Sequence, residues 1–369
     1  MDKKGIYIHI PFCRKKCPYC DFYSRSGGER ECNNYTDMLC KQISDFSENK
    51  AIVADTLYFG GGTPTVLGAE RITRIIESAK KSFTLNYPET EITVEVNPEK
   101  RDIDFGMLFS AGCNRISIGL QSANDEELQF LGRIHDTRDV DRCIRSAINA
   151  GFNNISLDLM IALPNQTNES LRRSVDFCAS RGAKHISAYI LKIEEGTVFY
   201  KNKDSLNLPD DERTADMYEY LCSLMKEYGY EHYEISNFCL SGYESKHNLK
   251  YWHDEEYIGF GPSAHSFFRG KRFYRPANFK RCYTNEIIAD GSGGDVEEFI
   301  MLGLRLSEGI TNERFRIRFG YDIPEKYIRR AERFEPVGLT KILNNGFALT
   351  ERGFMVSNPL IAEILKTTD

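Results

Sequence analysis

Tyr7-Ile8-His9-Ile10-Pro11-Phe12-Cys13-Arg14-Lys15-Lys16-Cys17-Pro18-Tyr19-Cys20-Asp21-Phe22 places three thiols, spaced four and three residues apart, just after a run with strand character. Thiolates are the usual ligands of iron–sulfur clusters, and a closed cubane takes four of them. Zinc ribbons need a second pair of cysteines at two-residue spacing, and no such pair follows. Three cysteines on one short loop therefore hold three irons and leave the fourth open to an exchangeable ligand, which marks a reactive site. On this reading Cys13, Cys17 and Cys20 are the metal ligands of a 4Fe-4S cluster.

The remaining eight cysteines stand singly, at 32, 40, 113, 143, 178, 222, 239 and 282, in apolar or helical surroundings. Free cysteine packs as a small hydrophobe, so these read as core residues. The N-terminal residues enter a strand at once and contain no signal peptide, so a reducing cytoplasm is the expected location. No apolar run approaches the roughly twenty residues needed to span a bilayer. The net charge of −6 argues against general affinity for nucleic acid, while peripheral contact with a membrane surface stays open.

From the start to about residue 200 short apolar runs alternate with helical patterns. Strands are expected at 5–10, 56–59, 91–96, 115–120, 154–160 and 185–190, with amphipathic helices at 69–83, 139–150 and 168–180. Asn168 starts the last of these helices and Gly182 stands where a C-cap glycine belongs. Six strand–helix repeats predict an α/β fold with a partial, open parallel barrel of (βα)6 type. Beyond it the pattern predicts a core extension over 201–290, with a long helix at 211–228 and a strand at 230–238. A glycine-rich linker at 291–294 leads to a small, mostly helical, winged-helix-like domain over 296–369. Its end reads as a strand, a turn at 351–353 and a second strand. Residues 310–369 carry ten Lys/Arg against eight Asp/Glu, a balance that favours a packing or lid domain over a DNA-binding wing.

In parallel barrels, functional groups gather at the carboxyl ends of the strands. Gly60-Gly61-Gly62-Thr63 follows the second strand, and consecutive glycines let backbone groups approach a ligand. Glu95 ends the third strand and Gln121 the fourth. Asp158 interrupts an apolar fifth strand, where a carboxylate must be paired or hydrogen-bonded. Arg133 offers a cation for a carboxylate, although a surface arginine reads the same way.

The cysteine loop resembles the radical S-adenosylmethionine superfamily, whose cofactor supplies the exchangeable iron ligand. Over nearly the whole chain the sequence is similar to the oxygen-independent coproporphyrinogen III dehydrogenase family and its haem-chaperone branch. That resemblance implies S-adenosylmethionine contacts from Tyr7, Tyr19, Gly61, Gly62, Thr63, Glu95, Gln121, Arg133 and Asp158, and a backbone contribution from Lys192. The family's usual Tyr-Gly pair before Leu-Pro is replaced by Ile161-Ala162, which puts local backbone contacts there in doubt. His247-Asn248-Leu249-Lys250-Tyr251-Trp252 is similar to the branch's haem motif; as a helix it sets His247 and Tyr251 one turn apart on one face. The resemblance thus implies haem as a further bound group, with His247 at its iron, and an acceptor protein of unknown identity as partner.

Two activities remain open. The dehydrogenases place a fourth cysteine two residues after the third, where this chain has Phe22, and they carry a long extension before the cluster loop, where only twelve residues precede Cys13. Both differences favour a haem chaperone without coproporphyrinogen dehydrogenase activity. The dehydrogenase itself is the alternative, and a haem-degrading methyltransferase relative is a more distant one.

Overall fold

The structure is a computed structural model that describes residues 3–46, 52–86, 88–99 and 102–366. The chain divides into two compact units, residues 1–208 with 255–293, and residues 209–254 with 294–369. The segment 201–290, grouped in the sequence as one extension, is thus shared between them.

The first unit is built on six parallel strands in sequential order: β1 (Lys4–Ile10), β2 (Val53–Gly61), β3 (Glu91–Val96), β4 (Arg115–Gln121), β5 (Asn154–Ile161) and β6 (His185–Ile190). All six were legible as strands, because each reads as a short β-branched run. Period-two alternation then sorts their side chains. Ile6, Ile8 and Ile10 of β1, Leu57 and Phe59 of β2, Ile92 and Val94 of β3, and Ile116, Ile118 and Leu120 of β4 are fully buried. The intervening positions carry Tyr7, His9, Tyr58, Glu95, Arg115, Ser117, Gln121 and Asp158. Doubly covered parallel sheets usually have two apolar faces. Here one face is apolar and the other polar, so the polar face is where chemistry can be done.

The connecting helices start where local hydrogen bonding dictates. Asn168–Ser180 is preceded by Thr167, whose hydroxyl accepts the Ser170 amide in a capping box, and Gly182 follows in the left-handed region at φ +71°. The helix expected from Asp139 starts earlier, at Thr137. Asp136 caps it, so Asp139 serves as the third residue of a capping box rather than as the first of the helix.

The free edge of β1 is paired by a strand that the sequence did not reveal. Tyr257–Phe260 runs parallel to β1, with Tyr7 opposite Gly259. The short strands His265–Phe268, Lys271–Tyr274 and Ile288–Ser292 then extend this edge antiparallel. Each is four or five residues long and aromatic or glycine-rich, too short for periodicity to declare. The expected glycine linker at 291–294 is partly strand for the same reason.

In the second unit the helix Asp211–Glu227 forms as expected. The single strand expected at 230–238 is instead a hairpin, Glu231–Glu234 with Asn237–Cys239, in which Glu234 faces Asn237 across a two-residue turn. Phe299, Ile300, Phe315, Tyr327, Phe347 and Ile361 belong to this unit's own apolar core. The chain end corrects the expected strand–turn–strand. Thr340–Leu343 pairs with Gly346–Leu349, and the helices Glu351–Met355 and Ser357–Leu365 follow. Thr350 decides this: its hydroxyl accepts the Gly353 amide at 3.0 Å and donates to the Gly338 carbonyl at 2.7 Å. Glu351–Gly353 is therefore the first turn of a helix.

Candidate functional site

A cavity of about 480 Å³ opens at the carboxyl ends of β2–β6. Cys13, Cys17 and Cys20 line it together, and none is in a disulfide. The loop that carries them is tied to the end of β2. The Gly62 amide donates to the Ile10 carbonyl and the Thr63 amide to the Phe12 carbonyl, both at 2.8 Å. Cys13 Sγ lies 3.5 Å from the Thr63 hydroxyl. This contact explains two glycines. A Cβ at Gly62 would stand 2.8 Å from the Phe12 carbonyl oxygen, and one at Gly61, where φ is +109°, would stand 2.6 Å from the His9 ring.

Of the residues assigned from the sequence, Tyr19, Gly61, Gly62, Thr63, Glu95, Gln121, Arg133, Asp158 and Lys192 line this same cavity. Tyr7 does not. It is half-buried, 3.1 Å from His9 Nδ1 and stacked on Tyr58 at 6.2 Å between ring centres. The Lys192 side chain turns outward to Glu194 at 2.7 Å, leaving its backbone at the rim. His247 lies outside the cavity lining, in the second unit. It occupies the helix Lys246–Trp252, as its motif suggested, and its Nε2 meets the Tyr251 hydroxyl at 2.8 Å, but the residue is only 1% exposed.

Arg133 is a cavity residue rather than a surface one. Its guanidinium donates to the Gly119 carbonyl at 2.9 Å and to the Asn97 side chain, with Tyr19 Oη at 3.4 Å and Cys17 Sγ at 3.6 Å. A cation is thus held beside a cluster thiol and open to an incoming carboxylate. Gln121 has φ +69°, a left-handed conformation rare for a residue with a side chain, and it stands at the cavity wall. Ala162, where the resemblance expects a glycine, has φ +58°, a left-handed conformation that glycine adopts more easily.

Two carboxyl groups face the interior. Tyr58 donates to Glu95 at 2.7 Å, and Ser117 donates to Asp158 at 3.1 Å. Burial pushes Glu95 up to about 7 against the Tyr58 hydrogen bond, and the neighbouring Asp158 charge adds to the rise. Burial also raises Asp158, opposed by Ser187, Ser117 and the Arg115 guanidinium. Burial likewise holds the Cys13 and Cys20 thiols above their ordinary value. A further cation, an iron or an ammonium group, would favour the ionised forms of these groups beyond what Arg115 and Arg133 do. Arg115, His9, Tyr58 and Asn97 were missed in the sequence. The signal that could have found the first three is the alternation itself, which puts them on the strand face that carries Glu95.

A cluster loop, a glycine segment and polar groups at successive strand ends define the class: this is a radical SAM protein. The family model for the radical SAM superfamily matches residues 7–178, and that for the HemN C-terminal domain matches residues 295–356. Among solved structures, coproporphyrinogen III oxidase (HemN) from Escherichia coli superposes with a TM-score of 0.83, covering 98% of this chain and 90% of that one at 20% identity. Among curated relatives, the haem chaperone HemW of Bacillus subtilis is 34% identical over 98% of this chain and 99% of its own length. HemW of Lactococcus lactis is 34% identical over 98% and 97%. HemW of Escherichia coli is 36% identical over 71% and 69%. The chain belongs to the HemW family.

Proposed function

We propose that this protein is a haem chaperone that binds a 4Fe-4S cluster through Cys13, Cys17 and Cys20, binds S-adenosylmethionine on the adjoining strand ends, and carries haem to an acceptor protein. The observation that carries this reading is the end-to-end 34% identity to proteins named as haem chaperones, against 20% to the oxidase that shares the fold. Phe22, exposed on the cavity rim where the dehydrogenases have a fourth cysteine, points the same way. The donor set fits the cofactors: three unpaired thiols at one cavity, a buried carboxyl at Glu95 suited to an ammonium, and Arg133 suited to a carboxylate. Together, a bound cluster and S-adenosylmethionine would supply one-electron chemistry; Cys13, Cys17 and Cys20 would hold the first, and Glu95 and Arg133 would orient the second.

Haem is assigned to His247. An imidazole can ligate haem iron, and Tyr251 and Trp252 on the same helix offer ring faces. Because His247 is buried against Tyr251, iron binding there requires the helix to open and the imidazole to exchange its tyrosine partner for the metal. The purified protein should bind haem stoichiometrically and convert no coproporphyrinogen III after anaerobic cluster reconstitution. His247→Ala should weaken haem binding by about tenfold or more, about 1.4 kcal/mol, whereas Tyr251→Phe, which removes the hydroxyl from Nε2, should not weaken it. Sustained decarboxylation of coproporphyrinogen, or no haem uptake by the wild type, would sink the chaperone reading. Unchanged affinity in His247→Ala would move the haem ligand elsewhere.

A further inference from the structure

The second unit is assembled from two stretches far apart in sequence, and one side-chain cluster draws ligand-type atoms from both. Cys222 belongs to the helix Asp211–Glu227, His232 to the strand Glu231–Glu234, and Glu351 begins the helix Glu351–Met355. The Cys222 sulfur, a ring nitrogen of His232 and a carboxylate oxygen of Glu351 all lie within 4.8 Å of one another. The three elements form for reasons of their own, yet they converge at this point.

The imidazole is held rigidly and is not saturated. Its ring stacks on Phe238, with centres 4.2 Å apart and planes 17° apart, and meets the Phe354 edge at 5.3 Å. Nδ1 is buried without a hydrogen-bond partner among the described residues. Nε2 has a long contact, 3.4 Å, to the Tyr218 hydroxyl, which itself donates to the Ile235 carbonyl at 3.2 Å, and the Ile235 and Glu234 backbone also acts on the ring. A buried ring nitrogen with no partner costs free energy. An oriented hydroxyl beside the ring is also the kind of outer contact that fixes a ligating histidine.

We propose that Cys222, His232 and Glu351 form a divalent transition-metal site, of the zinc class, that joins the two stretches of the second unit. One sulfur, one imidazole nitrogen and one carboxylate make a zinc-type set, with a water in the fourth position, and the sulfur and nitrogen disfavour calcium or magnesium. Cys222 and the His232 ring form the inner wall, and exposed Glu351 is the entry side. The site shares no residue with the cysteine loop, and a bound ion would tie the hairpin and the chain end to the long helix.

The test uses the full-length chain with Cys13, Cys17 and Cys20 replaced by alanine, so that the cluster thiolates cannot take up the probe. Cobalt(II) is titrated anaerobically into metal-free protein. One cobalt per chain is expected, with a thiolate-to-cobalt charge-transfer band and tetrahedral d–d absorption. Cys222→Ser should abolish the charge-transfer band, and Cys40→Ser should leave it. Glu351→Gln, at an exposed position that leaves the core intact, should lower cobalt affinity by about tenfold or more. Zinc should displace the cobalt and raise the temperature at which the second unit unfolds. Absence of the band in the cluster-free chain overturns the proposal, as does a band undiminished in Cys222→Ser. Should Cys222→Ser fail to fold by circular dichroism, unchanged cobalt affinity in Glu351→Gln overturns it instead.

Discussion

At the end of β3, Glu95 has Tyr58 donating to it at 2.7 Å, while the charges of Asp158 and Arg115 act on it with opposite sign. Burial wins over the hydrogen bond and Arg115, and raises the carboxyl from its ordinary 4.5 to about 7. The folded protein therefore prefers Glu95 neutral. Its contribution to stability is full below about 4.5 and is lost as pH rises through about 7. Binding has the opposite sense, because an ammonium group calls for the carboxylate. An α-amino group stays protonated up to about 7.7, so below pH 7 only Glu95 titrates in this pairing. S-adenosylmethionine affinity, measured calorimetrically on cluster-loaded protein, should rise by up to about tenfold per unit between pH 5.5 and 7. Glu95→Gln should bind more weakly at pH 7 and show a flat profile over that range. A parallel rise in Glu95→Gln would assign the titration to another group.

At the scale of an element, the turn after β2 and the cysteine loop after β1 are one device. Two backbone hydrogen bonds hold them together, and the approach is close enough that position 62 tolerates no side chain. Gly62→Ala must push the Phe12 carbonyl or the Cys13 sulfur outward by several tenths of an ångström, and this moves a cluster ligand. Reconstituted Gly62→Ala is expected to lose more than half of its iron per chain while keeping its fold by circular dichroism. Gly28→Ala is the control, since nothing lies within 4 Å of its added methyl. Full iron loading in Gly62→Ala would show that the loop has more freedom than these contacts imply.

At the scale of the molecule, each of the two units has an apolar core of its own. Phe315 is fully buried among Phe299, Phe319 and Tyr321 in the second unit, and the barrel strands bury their own set in the first. Units with separate cores need not unfold together. Differential scanning calorimetry should resolve two transitions. Phe315→Ala, which deletes a core ring at a cost of about 3–5 kcal/mol, should lower one of them and leave the iron content of the cluster loop unchanged. A single transition displaced as a whole by Phe315→Ala would mean that the two units unfold as one.

The sequence alone determined the six barrel strands, because β-branched runs between capped helices declare themselves locally. It also pointed to the three thiols and the strand-end acids that the fold brings to one cavity, because three cysteines on one loop and a carboxylate inside an apolar run are costly unless used. In the sequence Thr350 and Gly353 read as turn residues, because a capping threonine and a close-packed glycine look the same there as in a turn, yet they start a helix. Tertiary structure alone decided the rest. Tyr257–Phe260 is a strand because β1 offers it a free edge. Arg133 stands at the cavity because Gly119, Asn97 and Tyr19 hold it there. His247 is buried because of what packs around it, and Cys222 meets His232 and Glu351 only because two distant stretches fold together. Local chemistry and period are written along the chain; burial and convergence depend on partners that are distant in sequence, and no window of residues contains them.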